Sequence, residues 1–446
     1  MKNTIDYPRV LIVTLGKINN NDNSNNGLLL RNLFGSNWPK ENMAQIYSGG
    51  DNGDCGFFGI YYQLKSYDRF FGKYFYRIKE QEILFSKDKS ANKGRKSKHQ
   101  IVIRKFINSL KSYVFESGLY EFIFHPRLSK KMLNWVDDFD PQIILCQGYN
   151  LTFSWLPLML CKRSNTPLIF YPTDDWPTDL YKSSSLNKNL VEKFVRSQVK
   201  KSAINLVNNS TLNIAFNEFM KIEYEERYNK SFRVLMHGDL FERYPKTAAK
   251  HSTCKEKYTI VTTGVFNSNR QPLIADIDKA CEILLERGIS ASVHVYSVNT
   301  LTGSDITNKS YSNVKFFPCP SHDELSAILS SSDLLWLPER FDHTAEDIRL
   351  CISSKAHLFM FSGSPILVYS ERKTGISRYA EQDKWAEIVS ERSASKLAIC
   401  IQNILTNKTY RELIVKNARL IAIKNHNLTD IQNKFKTWLN IIVNHQ

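Results

Sequence analysis

Residues 349–369 read RLCISSKAHLFMFSGSPILVY. A mostly apolar segment runs into Ser362-Gly363-Ser364-Pro365 and re-emerges as Ile366-Leu-Val-Tyr369. Pro365 stops a helix, Gly363 suits a helix C-cap, and the short apolar run behind that turn signal reads as a buried strand. The spacing predicts a helix over 345–360, a strand over 366–369 and, after Thr374-Gly375, a further helix over 376–380. A strand apolar on both faces and set between helices belongs to a parallel sheet with both faces covered.

The same alternation extends outward. Strands are expected at 259–262, 292–296, 314–317, 334–337 and 386–389, with helices at 273–287 and 321–329 between them. Toward the N-terminus, Val10-Leu-Ile-Val13 is a compact strand, followed by an Asn-rich loop to Gly27 and a helix. More strands are expected at 44–47, 142–146, 167–171, 212–215 and 232–236, with helices at 128–136, 154–161, 190–201 and 218–228. The polar, basic stretch 242–257 has no hydrophobic period and reads as a linker. The expected fold class is α/β, with two Rossmann-like doubly wound domains facing across a cleft. They span 1–240 and 258–423, and a C-terminal helical segment, 424–446, is expected to pack back on the first. A length of 446 residues suits two cores better than one.

Composition narrows the classes. With 42% hydrophobic and 23% charged residues the chain can fill real cores, which excludes wholesale disorder. Sixty Lys+Arg against 44 Asp+Glu leave +16, an attraction to something anionic. Residues 61–130 hold 16 basic and 6 acidic residues, so +10 of that excess is local. Within it lies an aromatic and basic insert, 57–105, in which residues such as Phe70, Phe71 and Tyr74 alternate with Arg69 and Lys73. Amphipathic helices packed on the first domain, or a face toward an anionic membrane surface, fit this pattern. Nucleic acid is not expected as a partner, because no recognised binding module accompanies the insert. Its tail, 87–98, reads as an exposed loop.

The eight cysteines stand singly, with no CxxC and no Cys/His ladder, so no metal site is expected. The apolar run at 10–13 is too short for a signal-peptide core, and a cytoplasmic location is expected, peripheral to the membrane if the insert binds lipid. Uncharged 141–161 is long enough to test as a membrane span, but Gly148, Asn150 and Pro157 favour strand, loop and helix.

Lys355 ahead of a helix ending in Ser362-Gly363-Ser364-Pro365, with the Ile366 strand behind it, resembles the donor-side motif of GT-B glycosyltransferases, particularly the GT4-like bacterial group. Other pieces fall in that family's order: Gly27 in the first strand-to-helix loop, Asp174-Asp175-Trp176-Pro177, Gly238-Asp239, Gly264 to Arg270, and Leu337-Pro338. The resemblance implies metal-independent transfer of a sugar from a nucleotide sugar, with no further cofactor. Two departures stand out. Leu358 and Leu350 occupy the places of that motif's two glutamates, and the His often found after an N-domain strand is replaced by Gln147 or Thr173.

The chemistry of such a reaction selects candidates independently. A nucleotide sugar departs as a diphosphate, so cations and aligned N–H dipoles must meet growing negative charge. Arg270 and Lys355 are the leading donor-binding cations and Arg349 a third, with Arg offering a planar fork and Lys a point charge. Gly264 and Gly363 suit close turns, and Gly375 sets a helix N-terminus where it can meet phosphate. For Gly363 a plain helix C-cap fits equally well. An acceptor hydroxyl needs a base, for which Asp174 and Asp175, after the strand at 167–171, are the best carboxylates; a turn and helix cap is the alternative reading. Gly27 and His237 are assigned to the acceptor side.

Three function classes follow. The first is a glycosyltransferase using a UDP- or GDP-sugar and a carbohydrate or lipid-linked acceptor, as in surface polysaccharide assembly. The second is a catalytically silent homologue acting as a binding or scaffold subunit, favoured by the missing glutamates. A dinucleotide-dependent oxidoreductase ranks last, since no G-x-G-x-x-G follows the first strand.

Overall fold

The computed structural model describes residues 6–20, 25–49, 56–74, 109, 112–179, 190–244, 256–266, 270–297 and 311–445. The insert's tail and most of the expected linker lie outside these residues. The chain divides into two compact units. Unit 1 is Met1–Val234 with Lys434–Gln446, and unit 2 is Leu235–Asn433.

Unit 1 is built on seven strands: β1 Val10–Val13, β2 Met43–Tyr47, β3 Ile60–Gln63, β4 Ile143–Cys146, β5 Leu168–Phe170, β6 Leu212–Ala215 and β7 Arg233–Val234. Their order is β3-β2-β1-β4-β5-β6-β7, all parallel. Unit 2 carries β8 Tyr258–Thr263, β9 Ala291–Tyr296, β10 Val314–Phe317, β11 Leu334–Pro338, β12 Ile366–Tyr369 and β13 Glu387–Val389, again all parallel, in the order β10-β9-β8-β11-β12-β13. Both are α/β sheets that reverse direction beside their first strand. In unit 1, Val10 pairs with Met43 on one side and Ile143 on the other. Loops leaving the carboxyl ends of strands diverge at such a reversal, which is where open α/β sheets bind ligands.

The cores follow from the apolar runs. All four residues of β1 and all four of β12 are fully buried, as strands covered on both faces must be. In unit 2, Trp336 of β11 and Tyr369 of β12 pack with Ile277, Leu284 and Leu397 from the flanking helices. Burial of such side chains contributes roughly 1.5–3 kcal/mol each. Helices start on residues that cap exposed N–H groups. Asn150 accepts from Phe153 N ahead of the helix Leu151–Ser164, Asn217 does the same for Glu218–Tyr228, and Ser321 and Glu324 form a reciprocal capping box for His322–Ser331.

Two expectations need correction. Residues 345–360 do not form one helix: a 3-10 turn, His343–Ile348, is followed by an irregular stretch, and the helix is Ala356–Ser362. In the irregular stretch the backbone packs against Gly375, where a Cβ would stand 2.4 Å from the Cys351 carbonyl. Arg349 is therefore not on a helix shared with Lys355. The start of the insert is also no separate amphipathic element. Ile60–Gln63 is the edge strand of the unit 1 sheet, and Phe58, 3% exposed, packs edge-on against Phe34. As expected, 141–161 is strand β4, a turn and a helix that tolerates Pro157. No helix among the described residues is long and apolar enough to cross a membrane.

The last helix, Leu428–Asn444, is divided between the units. Its early turns meet Asp239 and Gly238 of unit 2, where Leu428 N donates to Asp239 O. From Lys434 on, it belongs to unit 1, where Phe435 packs against Phe34 and Arg233 lies over Trp438.

Candidate functional site

The carboxyl edge of the unit 2 sheet gathers charge. Strand β8 is followed by Gly264, whose φ of +123° is unfavourable to any residue with a Cβ. A Cβ there would stand 2.8 Å from Lys355 Nζ, so the glycine also makes room for the ammonium. Lys355 sits at the N-cap of Ala356–Ser362, and its Nζ is buried without a hydrogen-bond partner. Burial lowers its pKa to about 8, the Arg270 charge adds to that, and Glu339 opposes it. An ammonium held this way is a cation waiting for a counter-charge, since a desolvated charge is costly until paired.

Arg270 stands where the loop after β8 enters the helix Gln271–Glu286. Its Nη2 donates to both oxygens of Glu339, at 2.8 and 2.7 Å, and Nη1 donates to Val265 O at 3.2 Å. Glu339 directly follows β11 and is 5% exposed. Arg270, Lys355 and Glu339 thus bring two cations and one anion to the reversal between β8 and β11, a net positive cluster beside a backbone that favours glycine.

The other donor-side candidates have contacts of their own. Arg349 Nε is 3.5 Å from Glu346. Gly363, φ +86°, is the C-cap of Ala356–Ser362, where a Cβ would meet the Arg419 guanidinium at 2.5 Å. Gly375 opens the helix Gly375–Asp383, capped by Thr374, and its close neighbour is the Cys351 carbonyl. His237 falls in unit 2, with its ring 5.8 Å from that of His357, itself 5.7 Å from His426. Burial and then His426 lower the His237 pKa to about 3, which leaves it a poor base.

At the carboxyl edge of unit 1 the buried Arg69 reaches Ser48, just past β2, and Thr152, after β4, whereas the groups beyond β4 and β5 are mostly neutral. After β4, Gly148 (φ +80°) and Tyr149 (φ +75°) turn the chain sharply, and a Cβ on Gly148 would strike the Trp176 ring. The Tyr149 hydroxyl donates to Asn26 Oδ1 at 3.1 Å and bonds Thr173 Oγ1, which lies 3.3 Å from the same Asn26 oxygen. Gly27 is buried in the first turn of the helix Asn25–Phe34, beside Asn26. Gln147, 1% exposed, leaves both its amide nitrogen and its oxygen without partners. Gln45 of β2 shows the contrast: also fully buried, it donates to Thr14 Oγ1 and Gly16 O and accepts from Ile18 N.

The two adjacent aspartates separate. Asp175 is 1% exposed, and its carboxylate accepts from Tyr224 Oη at 2.9 Å and from both Arg227 nitrogens at 2.7 and 3.0 Å. That carboxylate is committed to holding the helix Glu218–Tyr228 to the sheet. Asp174 is exposed, and its charge joins burial in raising the Tyr149 phenol. Sequence reasoning missed Glu339, although Pro338 at the end of a strand pointed to the next residue, and it treated Gln147 only as a substitute for a histidine. Among the described residues no group of three His, Cys, Asp or Glu is placed to hold a metal ion.

No protein-family model matches the chain, and no curated protein does. Solved structures do. Sucrose-phosphate synthase from Thermosynechococcus elongatus matches at a TM-score of 0.57 and 11% identity, over 98% of this chain and 99% of that one. HepE from Anabaena, crystallised with UDP and glucose, matches at 0.57 and 11% over 97% and 99%. WaaG, a glycosyltransferase involved in lipopolysaccharide biosynthesis, matches at 0.56 and 11% over 96% and 99%. At this identity the likeness is one of architecture, and the architecture of this chain is the GT-B glycosyltransferase fold.

Proposed function

We propose that the chain is a glycosyltransferase of the GT4-like kind, moving a hexosyl or related group from a UDP- or GDP-sugar to a hydroxyl of a carbohydrate or lipid-linked acceptor. Surface polysaccharide assembly on the cytoplasmic side of a membrane is the setting we infer. The observation that carries the reading is the buried, unpartnered Lys355 ammonium beside Arg270 and Gly264. A departing nucleoside diphosphate supplies the anion that such a site lacks, and the fold is shared with HepE, a protein crystallised with UDP.

In this mechanism the bond from the anomeric carbon to the diphosphate oxygen breaks as the acceptor oxygen bonds to that carbon. Lys355 and the Arg270 fork stabilise the charge that collects on the departing phosphate. Asp174 is the proposed base for the acceptor proton, because Asp175 is already committed to Arg227. Neutral hydroxyl and amide groups of Gln147, Tyr149 and Thr173 suit a polyol acceptor.

The silent-homologue reading has one specific observation in its favour: Leu350 and Leu358, 1% and 8% exposed, put buried apolar side chains where the GT4 pattern has glutamates. One experiment separates the two. Turnover and binding are measured with a panel of UDP- and GDP-sugars for wild type, Lys355→Ala and Arg270→Ala. Transfer lost in both variants supports the enzyme. Binding without transfer in wild type favours the scaffold, and equal turnover in all three removes the site assignment.

A further inference from the structure

The helix Leu190–Asn209 of unit 1 has two faces of opposite character. Val195, Val199, Ala203 and Leu206 point into the core. On the opposite half of the helix, about 105–175° from the centre of that buried face in helical phase, Leu190 (82% exposed), Phe194 (51%) and Ile204 (44%) lie with exposed Lys193, Lys200 and Lys201, and no acidic side chain of the helix falls among them. Several of these residues, with Arg196, line a shallow surface depression of about 500 Å³.

The stripe continues past the helix through ring contacts. Phe194 meets Phe122 at 5.4 Å, Phe122 meets Trp155 at 5.5 Å, Trp155 stacks on His125 at 4.6 Å, and His125 lies 6.2 Å from Phe70, which is 49% exposed. Arg127 lies over the Phe70 ring, and Ile123, 46% exposed, adds to the patch. Aromatic and aliphatic side chains left in water at intervals between lysines are the composition of a surface that sits at the headgroup level of a bilayer. Each Lys near an anionic leaflet contributes about 1 kcal/mol.

We propose that this stripe, Leu190 to Ile204 with the Phe122 to Phe70 ring chain, is a docking surface for an anionic lipid bilayer. The charge complementarity is local to the patch, and the inference stands apart from glycosyl transfer, since it concerns a face of unit 1 that contains none of the proposed site residues. Nucleic acid is the competing partner for lysines and aromatics, but a continuous stripe that includes Leu190, Ile204 and Ile123 offers aliphatic groups that bases do not stack on.

The test is co-sedimentation of the full chain with vesicles of phosphatidylcholine alone and of phosphatidylcholine mixed with phosphatidylglycerol. The expected result is binding to the mixed vesicles only, weakened by salt. Combined Lys193→Glu, Lys200→Glu and Lys201→Glu substitution is expected to reduce it by at least about tenfold. Phe194→Ser should reduce it as well, without changing the salt dependence. The same charge reversal at Lys279, Lys408 and Lys416 of unit 2 should leave it unchanged. Equal losses in both triple variants, binding to neutral vesicles alone, no vesicle binding, or capture of a single-stranded RNA oligomer in place of vesicles would each overturn the proposal. Donor turnover of the same variants is read in parallel, so that a failure of membrane docking is distinguished from a failure of the enzyme reading.

Discussion

The two sheets reverse direction in the same way, yet the edges they present differ in kind. Unit 2 offers Arg270, Lys355 and Glu339, three charged groups of which the lysine is buried and unmatched. Beyond β4 and β5, unit 1 offers neutral Asn26, Tyr149, Thr173 and Gln147, with the exposed carboxylate of Asp174 nearby, and its buried cation, Arg69, is bonded to Ser48 and Thr152. Under the proposed function the same topology serves an anion in one unit and a set of hydroxyls in the other, and what differs is a handful of side chains at strand ends.

The largest expected effect lies beside the neutral edge and is structural. Arg227→Leu strands the Asp175 carboxylate in the interior, and removal of one partner of a buried pair costs about 3–5 kcal/mol. The denaturant midpoint should fall accordingly, whereas Asp174→Asn should barely move it while lowering transfer. Stability loss of equal size in both would erase the distinction drawn between the two aspartates.

At the charged edge, Lys355→Ala should lower transfer by about 10²–10³-fold, the scale for losing one preorganised group that stabilises transition-state charge. Steady-state rates for Lys355→Ala and for Gln147→Leu sharpen the comparison. The account expects the first to fall mainly in kcat and the second mainly through acceptor KM.

The next effect is pH dependence. His237 and His426 have folded pKa values of about 3 and about 4, against 6.5 when unfolded, chiefly through burial. Unfolded rings take up protons below about pH 6.5 while the folded ones stay neutral, so stability is complete above that pH and is lost as pH falls toward the folded values. The slope is about 1.4 kcal/mol per pH unit for each ring. Tyr379 Oη sits 3.0 Å from His426 Nε2 and offers no negative charge to hold an added proton at neutral pH. His237→Phe should flatten the acid limb of a urea-midpoint series, and an unchanged limb would place the acid sensitivity elsewhere.

The smallest effect is the most local. Gln147→Leu removes two unpartnered polar atoms and should raise the stability of the free protein by about 1 kcal/mol, whereas Gln45→Leu strands Ile18 N and should lower it by about 1–3 kcal/mol. Opposite signs from two buried glutamines in one sheet would show that the first is kept for a ligand.

How far these features were legible depends on how local their causes are. Strands such as 10–13 and 366–369 were readable because an apolar run bounded by Pro, Gly or Ser has few alternatives. Strand β3 was hidden because an edge strand is only partly buried and its tyrosines resemble those of the insert around it. The helix at 345–360 was overextended because the irregular stretch inside it makes contacts distant in sequence, with Gly375 packing on Cys351 from beyond the next strand. Arg270 and Lys355 were selected as candidates from charge and motif order, but Glu339, which binds Arg270, lies 69 residues from it, a separation that no local pattern encodes. Asp174 and Asp175 looked equivalent for the same reason, since Arg227 is 52 residues away.

The central claim is that Lys355 and Arg270 form a diphosphate site. An anion raises the pKa of a lysine that starts near 8, so binding at about pH 8 must draw a proton from the buffer. The most direct measurement is calorimetric titration of UDP and GDP at that pH in two buffers of different ionisation enthalpy. The account expects binding by wild type with uptake of a fraction of a proton, and Lys355→Gln to lose the uptake together with at least about tenfold in affinity, as expected for a charge-assisted contact. Unchanged affinity in that variant, or binding with no proton uptake, would contradict it.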